Sequence, residues 1–477
     1  MCVTITGADV AAMRAARQAA EADADLVELR LDTMARPDPE GALADRRKPA
    51  IVTCRPRREG GHFEGSEEER LRMLERAHAA GAEFIDLEWD ANAASLRESR
   101  RNGGLIVSRH VFDRTPSDAA AMLDDLRARG GEVAKLAVAT GRLSDLQALL
   151  GVTRDDASSI VIGMGPAGVA SRVLAKRFHS RWTYTGPNVA PGQMPVSRLL
   201  REFRFRRISA DAAVFAVLGH PVVNSLSPAM HNAGFAALGL NAAYVPLDTP
   251  DLEGLRDLAA ALGLEGASVT IPFKTDVLPL LDEMDETAVA AGAVNTIAIR
   301  KGRWIGMNTD AEGFLAPLRA RLPEMNGLRA VILGAGGAAR AAALALRNAG
   351  SRVTICARRP DAARAAATAL GVDAGPWPPA SGSWDVLVNA TPVGGALAPG
   401  EVPFAGPFNG PFVYDLVYDP DPTELVRRAR SEGCAVLGGL EMLVAQAERQ
   451  FEIWTGQRPP AGLFASAAAD AMEHRRL

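Results

Sequence analysis

Short apolar runs alternate with stretches in which apolar residues return at helical spacing, from the start of the chain to about residue 205. The runs lie near Val3–Thr6, Leu26–Leu31, Ile51–Cys54, Phe84–Leu87, Leu105–Ser108, Val133–Val138, Ile160–Ile162 and Trp182–Thr185. Runs this short, bounded by turn residues, read as buried strands, and the stretches between them as amphipathic helices. Eight strands in that rhythm predict a (β/α)8 TIM barrel, with a doubly wound open sheet as the structural alternative. Ile208–Ala212 is a short junction, and a second αβ pattern starts at Val214. A third begins at Ala330, where Ala-Val-Ile-Leu runs into Gly334-Ala335-Gly336-Gly337-Ala338 and an alanine-rich helix. From Gly439 to Leu477 the pattern is helical, and the Pro/Gly-rich Gly375–Ser383 reads as a surface loop.

At 477 residues the chain exceeds what one core usually serves, so two or three domains are expected. A net charge of −4 gives no electrostatic reason to expect nucleic acid or an anionic membrane as partner. Cys2, Cys54, Cys356 and Cys434 are far apart, which speaks for a reducing compartment and against a disulfide framework or a metal site. No apolar run approaches a membrane span, and the opening residues already read as a strand. These features predict an ordinary soluble globular chain in a reducing, cytoplasmic setting, with no nucleic-acid or membrane partner.

Lysine changes the picture. Only five of the 53 basic residues are lysines, and two of these, Lys135 and Lys274, sit inside apolar, strand-like runs. Arginine cannot lose its proton, whereas a desolvated lysine can, and can then act as nucleophile or acid/base. In a barrel the C-terminal strand ends form the active face. Glu28 and Arg30 close the second strand, Arg55 the third and His110 the fifth. Lys135 lies on the sixth strand, Arg172 follows the seventh and Gln193 follows the eighth. The apolar strand and nearby arginines suggest a Lys135 amine able to react near neutral pH.

The segments V-E-L-R-L-D, T-C-R-P-R-R-E-G-G, S-R-H-V-F-D-R-T-P, V-A-K-L-A-V, G-V-A-S-R and A-P-G-Q, in this order, resemble type I 3-dehydroquinate dehydratase. The resemblance implies that Lys135 forms a Schiff base with the substrate ketone. It implies that His110 serves as general base and later as acid, with Glu59 orienting it. Arg172 would clamp the substrate carboxylate, and Glu28, Arg30, Arg55 and Gln193 would hold its hydroxyls and ketone. One departure is Val189, where the family usually has a small hydroxyl residue.

In the second half, Gly334-Ala335-Gly336-Gly337-Ala338 between a strand and a helix reads as a phosphate cradle for a dinucleotide. The next strand ends in Ala357-Arg358-Arg359, with no acid for a ribose 2′-hydroxyl, so NADP is expected over NAD. N-S-L-S-P-A-M-H-N around Ser225 and Ser227, S-V-T-I-P-F-K, A-G-A-V-N-T, G-M-N-T-D-A-E-G, N-A-T-P-V-G, Y-D-L-V-Y and G-L-E-M-L-V-A-Q-A resemble shikimate dehydrogenase. By that resemblance Ser225 and Ser227 bind the substrate carboxylate. Thr270, Asn295, Tyr418 and Gln446 contact its ring substituents, and Lys274 with Asp310 forms the acid/base pair. Asn389, Thr391 and Gly439 join the cofactor site. The usual family N-R-T on the nucleotide strand is Ala357-Arg358-Arg359 here.

The expected architecture is therefore α/β throughout: a dehydratase barrel over 1–206, a linker over 207–212, a shikimate-binding domain over 213–312 completed by helices over 440–477, and a Rossmann NADP-binding domain over 313–439. The expected reactions are dehydration of 3-dehydroquinate to 3-dehydroshikimate and its reduction to shikimate with NADPH. A dehydrogenase half acting on quinate is one rival. A ligand-sensing regulator built from the same domains is another, but it predicts lost catalytic residues, and Lys135, His110, Lys274 and Asp310 are all in place.

Overall fold

The computed structural model describes residues 1–92, 96, 104–152, 158–186, 190–396 and 398–476; Val189 lies outside them. Its strands form three sheets of eight, six and six. The chain divides into two compact units, one of Met1–Val214 with Val222–Ser225 and Asn241–Gly263, the other of Phe215–Pro221, Leu226–Leu240 and Leu264–Leu477.

The first sheet holds β1 (Cys2–Ile5), β2 (Leu26–Arg30), β3 (Ala50–Thr53), β4 (Phe84–Glu88), β5 (Gly104–Val111), β6 (Val133–Ala139), β7 (Ser159–Met164) and β8 (Tyr184–Thr185). All eight predicted runs are strands. Their order, β7-β6-β5-β4-β3-β2-β1-β8, is the cyclic order of a (β/α)8 barrel, and the pairs are parallel. The seam between β7 and β8 has no ladder among the described residues. It is bridged by the Arg181 N–H on Ser159 O (2.9 Å) and by the Ser180 hydroxyl, which accepts from the Val161 N–H (3.0 Å).

Side chains two apart on a strand share a face, and here that face changes character along β1 to β6. The inward residues near the strand starts are apolar: Cys2, Leu26, Ile51, Ile106, Val133, Ile160 and Tyr184 pack as one cluster with Phe84 against it. Two positions on, the same faces carry Thr4, Glu28, Thr53, Asp86, Ser108 and Lys135, all buried. The barrel is thus plugged by hydrocarbon at one end and lined by hydrogen-bonding groups above it.

The second sheet runs β10 (Ala242–Asp248), β9 (Ala213–Gly219), β11 (Leu264–Val269), β13 (Thr296–Arg300), β14 (Arg303–Met307), β12 (Glu283–Met284). The third is parallel and runs β17 (Asp373–Ala374), β16 (Arg352–Cys356), β15 (Arg329–Leu333), β18 (Val386–Asn389), β19 (Phe412–Asp415), β20 (Ala435–Leu437). Numbered from its own first strand this order is 3-2-1-4-5-6, the dinucleotide-binding arrangement. The alanine-rich helix Gly337–Asn348 packs its small residues on this sheet through Ala339, Ala342, Ala343 and Leu346. Two helices, Gly439–Thr455 and Leu463–Arg476, end the described chain.

Candidate active sites

The polar layer of the barrel is a network of buried charges. Lys135 donates to Asp86 Oδ2 (2.9 Å), lies 3.7 Å from Glu28 Oε1 and sits over the Tyr184 ring at 4.3 Å. Arg55 reaches Asp86 Oδ1 (2.8 Å), Glu88 (2.7 Å) and the Ser108 hydroxyl (2.8 Å), and Arg70 reaches the other oxygen of Glu88 (2.5 Å). Burial pushes the Asp86 carboxyl up, but Arg55 and then Lys135 outweigh it and hold it well below the usual carboxylate range. Asp86 is therefore ionised at any working pH. Glu28 is fixed by the hydroxyls of Thr4 (2.8 Å) and Thr53 (2.9 Å), and Gln193 donates to Thr4 (3.0 Å). The apolar, arginine-flanked setting expected for Lys135 needs correction: carboxylates, not bare hydrocarbon, meet its amine.

At the end of β5, Glu59 Oε2 accepts from the His110 N–H (2.8 Å) and lies 2.9 Å from His110 Nδ1. Burial, then the cations Arg55 and Lys135, hold His110 well below the ordinary imidazole range, so its ring is neutral near pH 7. Burial raises Glu59 to about 7, outweighing Arg55 and the backbone N–H. With Glu59 ionised, Nδ1 must carry the ring proton and Nε2 is left as a lone pair.

Arg172 differs from its neighbours. It is buried, donates to Pro191 O (3.1 Å), and has no ion-pair partner among the described residues. Its Nε makes no hydrogen bond, and burial lowers it to about 10. The cations Lys135, Arg55 and Arg70 are matched by Glu28, Asp86 and Glu88, so Arg172 is an uncompensated positive charge that an anion would complete. Arg30, by contrast, is already forked onto Asp32 through two 2.8 Å bonds.

In the second unit, Lys274 donates to Asp310 Oδ2, and the other Asp310 oxygen accepts from Asn295 Nδ2 (2.8 Å). Asn295 also reaches Gln446 Oε1 (3.3 Å), and its own oxygen accepts from the Thr309 N–H (2.7 Å). Beneath them Gln450 donates to Asn295 O (3.1 Å) and Thr296 Oγ1 (3.0 Å) and accepts from Ser268 (2.7 Å). Lys274, Asn295, Asp310 and Gln446 are thereby brought together. Thr270 joins the loop before Lys274 to β9 through its N–H on Leu218 O (2.9 Å). Ser227 opens the helix Ser227–Ala237, and Ser225 lies in the preceding turn with its N–H on Val222 O (2.9 Å). Tyr418 follows β19, where burial raises its phenol.

His231, inside the same motif as Ser227, stands among Phe451, Trp454 and Phe464 with ring centroids 5.1–6.2 Å away. Burial lowers it to about 3, so it is a neutral core group.

The nucleotide turn has the form a pyrophosphate needs. Gly334 at φ +115° holds a backbone that other residues avoid. A Cβ on Gly336 would meet nothing within 4 Å, so the space before it is open to an approaching ligand. Arg358 and Arg359 follow β16, are exposed and have no carboxylate partner among the described residues. These residues fit NADP, with the arginines free for a 2′-phosphate. Asn389 accepts from the Thr391 N–H (3.0 Å) and hydroxyl (2.7 Å) and donates to Val393 O (3.2 Å) and Asp415 (2.8 Å). Its amide is therefore fully used in shaping the loop, and Gly439 opens the helix after β20.

Sequence reasoning missed Thr4, Thr53, Arg70, Asp86, Glu88 and Ser108. The available signal was an acid or hydroxyl at alternate positions within otherwise apolar strands, as in F-I-D-L-E. Among the described residues, no group of three metal-ligating side chains could hold a metal ion, and no helix is long and apolar enough to cross a membrane.

Comparison with known proteins agrees with both halves. Residues 1–210 match the family model of type I 3-dehydroquinase, 217–297 that of the shikimate dehydrogenase substrate-binding domain, and 439–468 that of the shikimate 5′-dehydrogenase C-terminal domain. The chain is 33% identical to a chloroplastic bifunctional 3-dehydroquinate dehydratase/shikimate dehydrogenase of Arabidopsis thaliana, over 94% of this chain and 80% of that protein. It is 43% identical to a shikimate dehydrogenase (NADP+) of Citrifermentans bemidjiense, over 55% of this chain and 96% of the relative. A crystal structure of Thermus thermophilus shikimate 5-dehydrogenase with NADP(H) and shikimate superimposes with a TM-score of 0.50 at 41% identity, over 54% of this chain and 99% of that one. With Lys135 and Lys274 each set in a matching half, the chain belongs to the bifunctional 3-dehydroquinate dehydratase/shikimate dehydrogenase family.

Proposed function

We infer that the chain carries out two consecutive reactions: 3-dehydroquinate is dehydrated to 3-dehydroshikimate, which is then reduced to shikimate with NADPH. The observation that carries this reading is that each compact unit holds one lysine hydrogen-bonded to a carboxylate, Lys135 on Asp86 and Lys274 on Asp310.

In the barrel, Lys135 Nζ attacks the substrate ketone and water leaves, giving an iminium. The iminium accepts the electrons released when Nε2 of His110 removes a proton from the adjacent carbon. His110 returns that proton to the departing hydroxyl, and hydrolysis of the imine frees the lysine. Asp86 and Glu28 flank the nitrogen and stabilise its positive charge. Arg172 pairs with the substrate carboxylate, and Gln193, Arg55 and Arg30 border the ring hydroxyls. In the second unit NADPH supplies the hydride. Lys274 donates the proton to the ketone oxygen, and Asp310, held by Asn295, fixes the ammonium. Ser227 takes the carboxylate, and Thr270, Tyr418 and Gln446 the ring. Arg358 and Arg359 hold the 2′-phosphate.

We place the two catalytic cores at 1–206 and 213–477. The free cysteines fit a reducing, cytoplasmic setting. Incubation with 3-dehydroquinate and NADPH should give enone absorbance together with NADPH loss. NADPH consumed with 3-dehydroshikimate but never with 3-dehydroquinate would remove the first activity.

The Glu59–His110 contact predicts a pH dependence. As pH falls through about 7, Glu59 takes up a proton. A protonated carboxyl donates to Nδ1, moves the ring N–H to Nε2 and removes the base. Dehydration should therefore show an acid limb near that value, shared by the pair. Glu59→Gln should lose this limb and run roughly 10–10²-fold below the parent at pH 8, less than deleting the base itself. A parental limb in Glu59→Gln would assign the titration elsewhere.

A further inference from the structure

The dinucleotide turn asks for small residues at three places, Gly-x-Gly-x-x-small, and Gly334, Gly336 and Ala339 fill them. Gly337 is not one of the three. It is the first residue of the helix Gly337–Asn348, where alanine would be the better helix former. It is absent from the residues held at positive φ, so its backbone gives no reason for glycine.

The reason lies on another segment of the same unit. A Cβ on Gly337 would fall 2.7 Å from Lys274 Cβ, 2.9 Å from its Cδ and 3.3 Å from its Cγ. Contact along the whole stem, including the carbon attached to the backbone, cannot be relieved by turning the far end of the side chain. Nor is the Lys274 backbone free to retreat. Its carbonyl accepts from the Val294 N–H (2.8 Å), and the Phe273 N–H just before it is bonded to Thr270 O (2.9 Å). The lysine stem therefore lies flush on the first residue of the nucleotide helix while its ammonium reaches Asp310.

We infer that Gly337 is a positioning residue for Lys274: its missing side chain sets the line along which the lysine reaches Asp310, whereas Gly336 leaves the space for the cofactor. This rests on Lys274–Asp310 being the acid/base pair. The surface of the nucleotide helix thus gauges where the proton donor stands, which ties cofactor-site geometry to proton transfer without any direct contact between Gly337 and substrate.

The test uses the full chain with shikimate and NADP+. Gly337→Ala should lower kcat for shikimate oxidation by about 10–10²-fold, the usual cost of a displaced catalytic group. It should shift the ionisation seen in the kcat–pH profile and leave the NADP+ dissociation constant, measured by titration calorimetry, within about threefold of the parent. Gly336→Ala should do the reverse, weakening NADP+ while keeping the parental pH profile. Retained NADP+ affinity also shows that the second unit of Gly337→Ala has folded. A Gly337→Ala variant with parental kcat and pH profile overturns the inference, and so does one that loses activity and NADP+ binding together. Lys274→Met separates the two levels. If it keeps the parental rate, the acid/base reading fails. If it is inactive while Gly337→Ala is parental, only the positioning role fails.

Discussion

Replacing Lys135 by methionine should lower dehydration by about 10⁶-fold, the scale of losing a covalent nucleophile, with shikimate oxidation by the same chain unchanged. The side chain does two jobs, and they can be separated. It is the nucleophile, and it is one of two cations that hold buried Asp86, the other being Arg55. Lys135→Met strips Asp86 of a partner and should destabilise the first unit by about 3–5 kcal/mol, as when one member of a buried pair is removed. Adding Asp86→Asn should restore much of that stability, because the negative charge that Lys135 balanced is gone. It should restore no turnover. Borohydride added with 3-dehydroquinate should leave a stable adduct on Lys135 by peptide mapping. An adduct on another lysine, or turnover regained in the double variant, would mean that Lys135 is an electrostatic partner and no nucleophile.

Loss of both Arg358 and Arg359 should cut the ratio of NADP+ to NAD+ efficiency by about 10²–10⁴-fold. The two guanidiniums follow β16, exposed and without acidic partners among the described residues. A 2′-phosphate carries nearly two negative charges and accepts forked bonds from both. Hydrogen bonds to charged groups contribute roughly 1.5–3 kcal/mol each, so two sum to about 3–6 kcal/mol. NAD+ has a hydroxyl there and should lose little, since its pyrophosphate meets the turn at Gly334–Gly336. Steady-state kinetics of the double alanine variant with each cofactor decides. An unchanged ratio would make these arginines ordinary solvated surface.

The strands of the barrel were legible because each is a short local run buried on both faces. The nucleotide turn was legible because phosphate binding demands contiguous residues of one conformation. Lys135 and Lys274 stood out as lysines among apolar neighbours in a chain that otherwise uses arginine. Glu59 was attached to His110 only through family resemblance, since nothing local connects residues 51 positions apart. Asp86, Glu88 and Arg70 escaped notice because isolated acids and arginines occur throughout the chain. Their meaning appears only once β3, β4 and β6 turn the same faces inward and the helix Glu67–Ala79 brings Arg70 to Glu88.

The sequence by itself determined the succession of strands and helices, the dinucleotide turn, the reactive residue types and the family to which both halves belong. These rest on neighbours within a few positions, where steric preference and side-chain periodicity act. Tertiary structure alone decided the electrostatics. It put Asp86 on Lys135 across 49 residues, Gln446 on Asn295 across 151, left Arg172 without an acid among the described residues, and laid the Lys274 stem on Gly337. Charge interactions depend on distance and on exclusion of water, and steric contact on ångström-scale approach. Neither quantity exists until segments far apart in the chain have closed on one another.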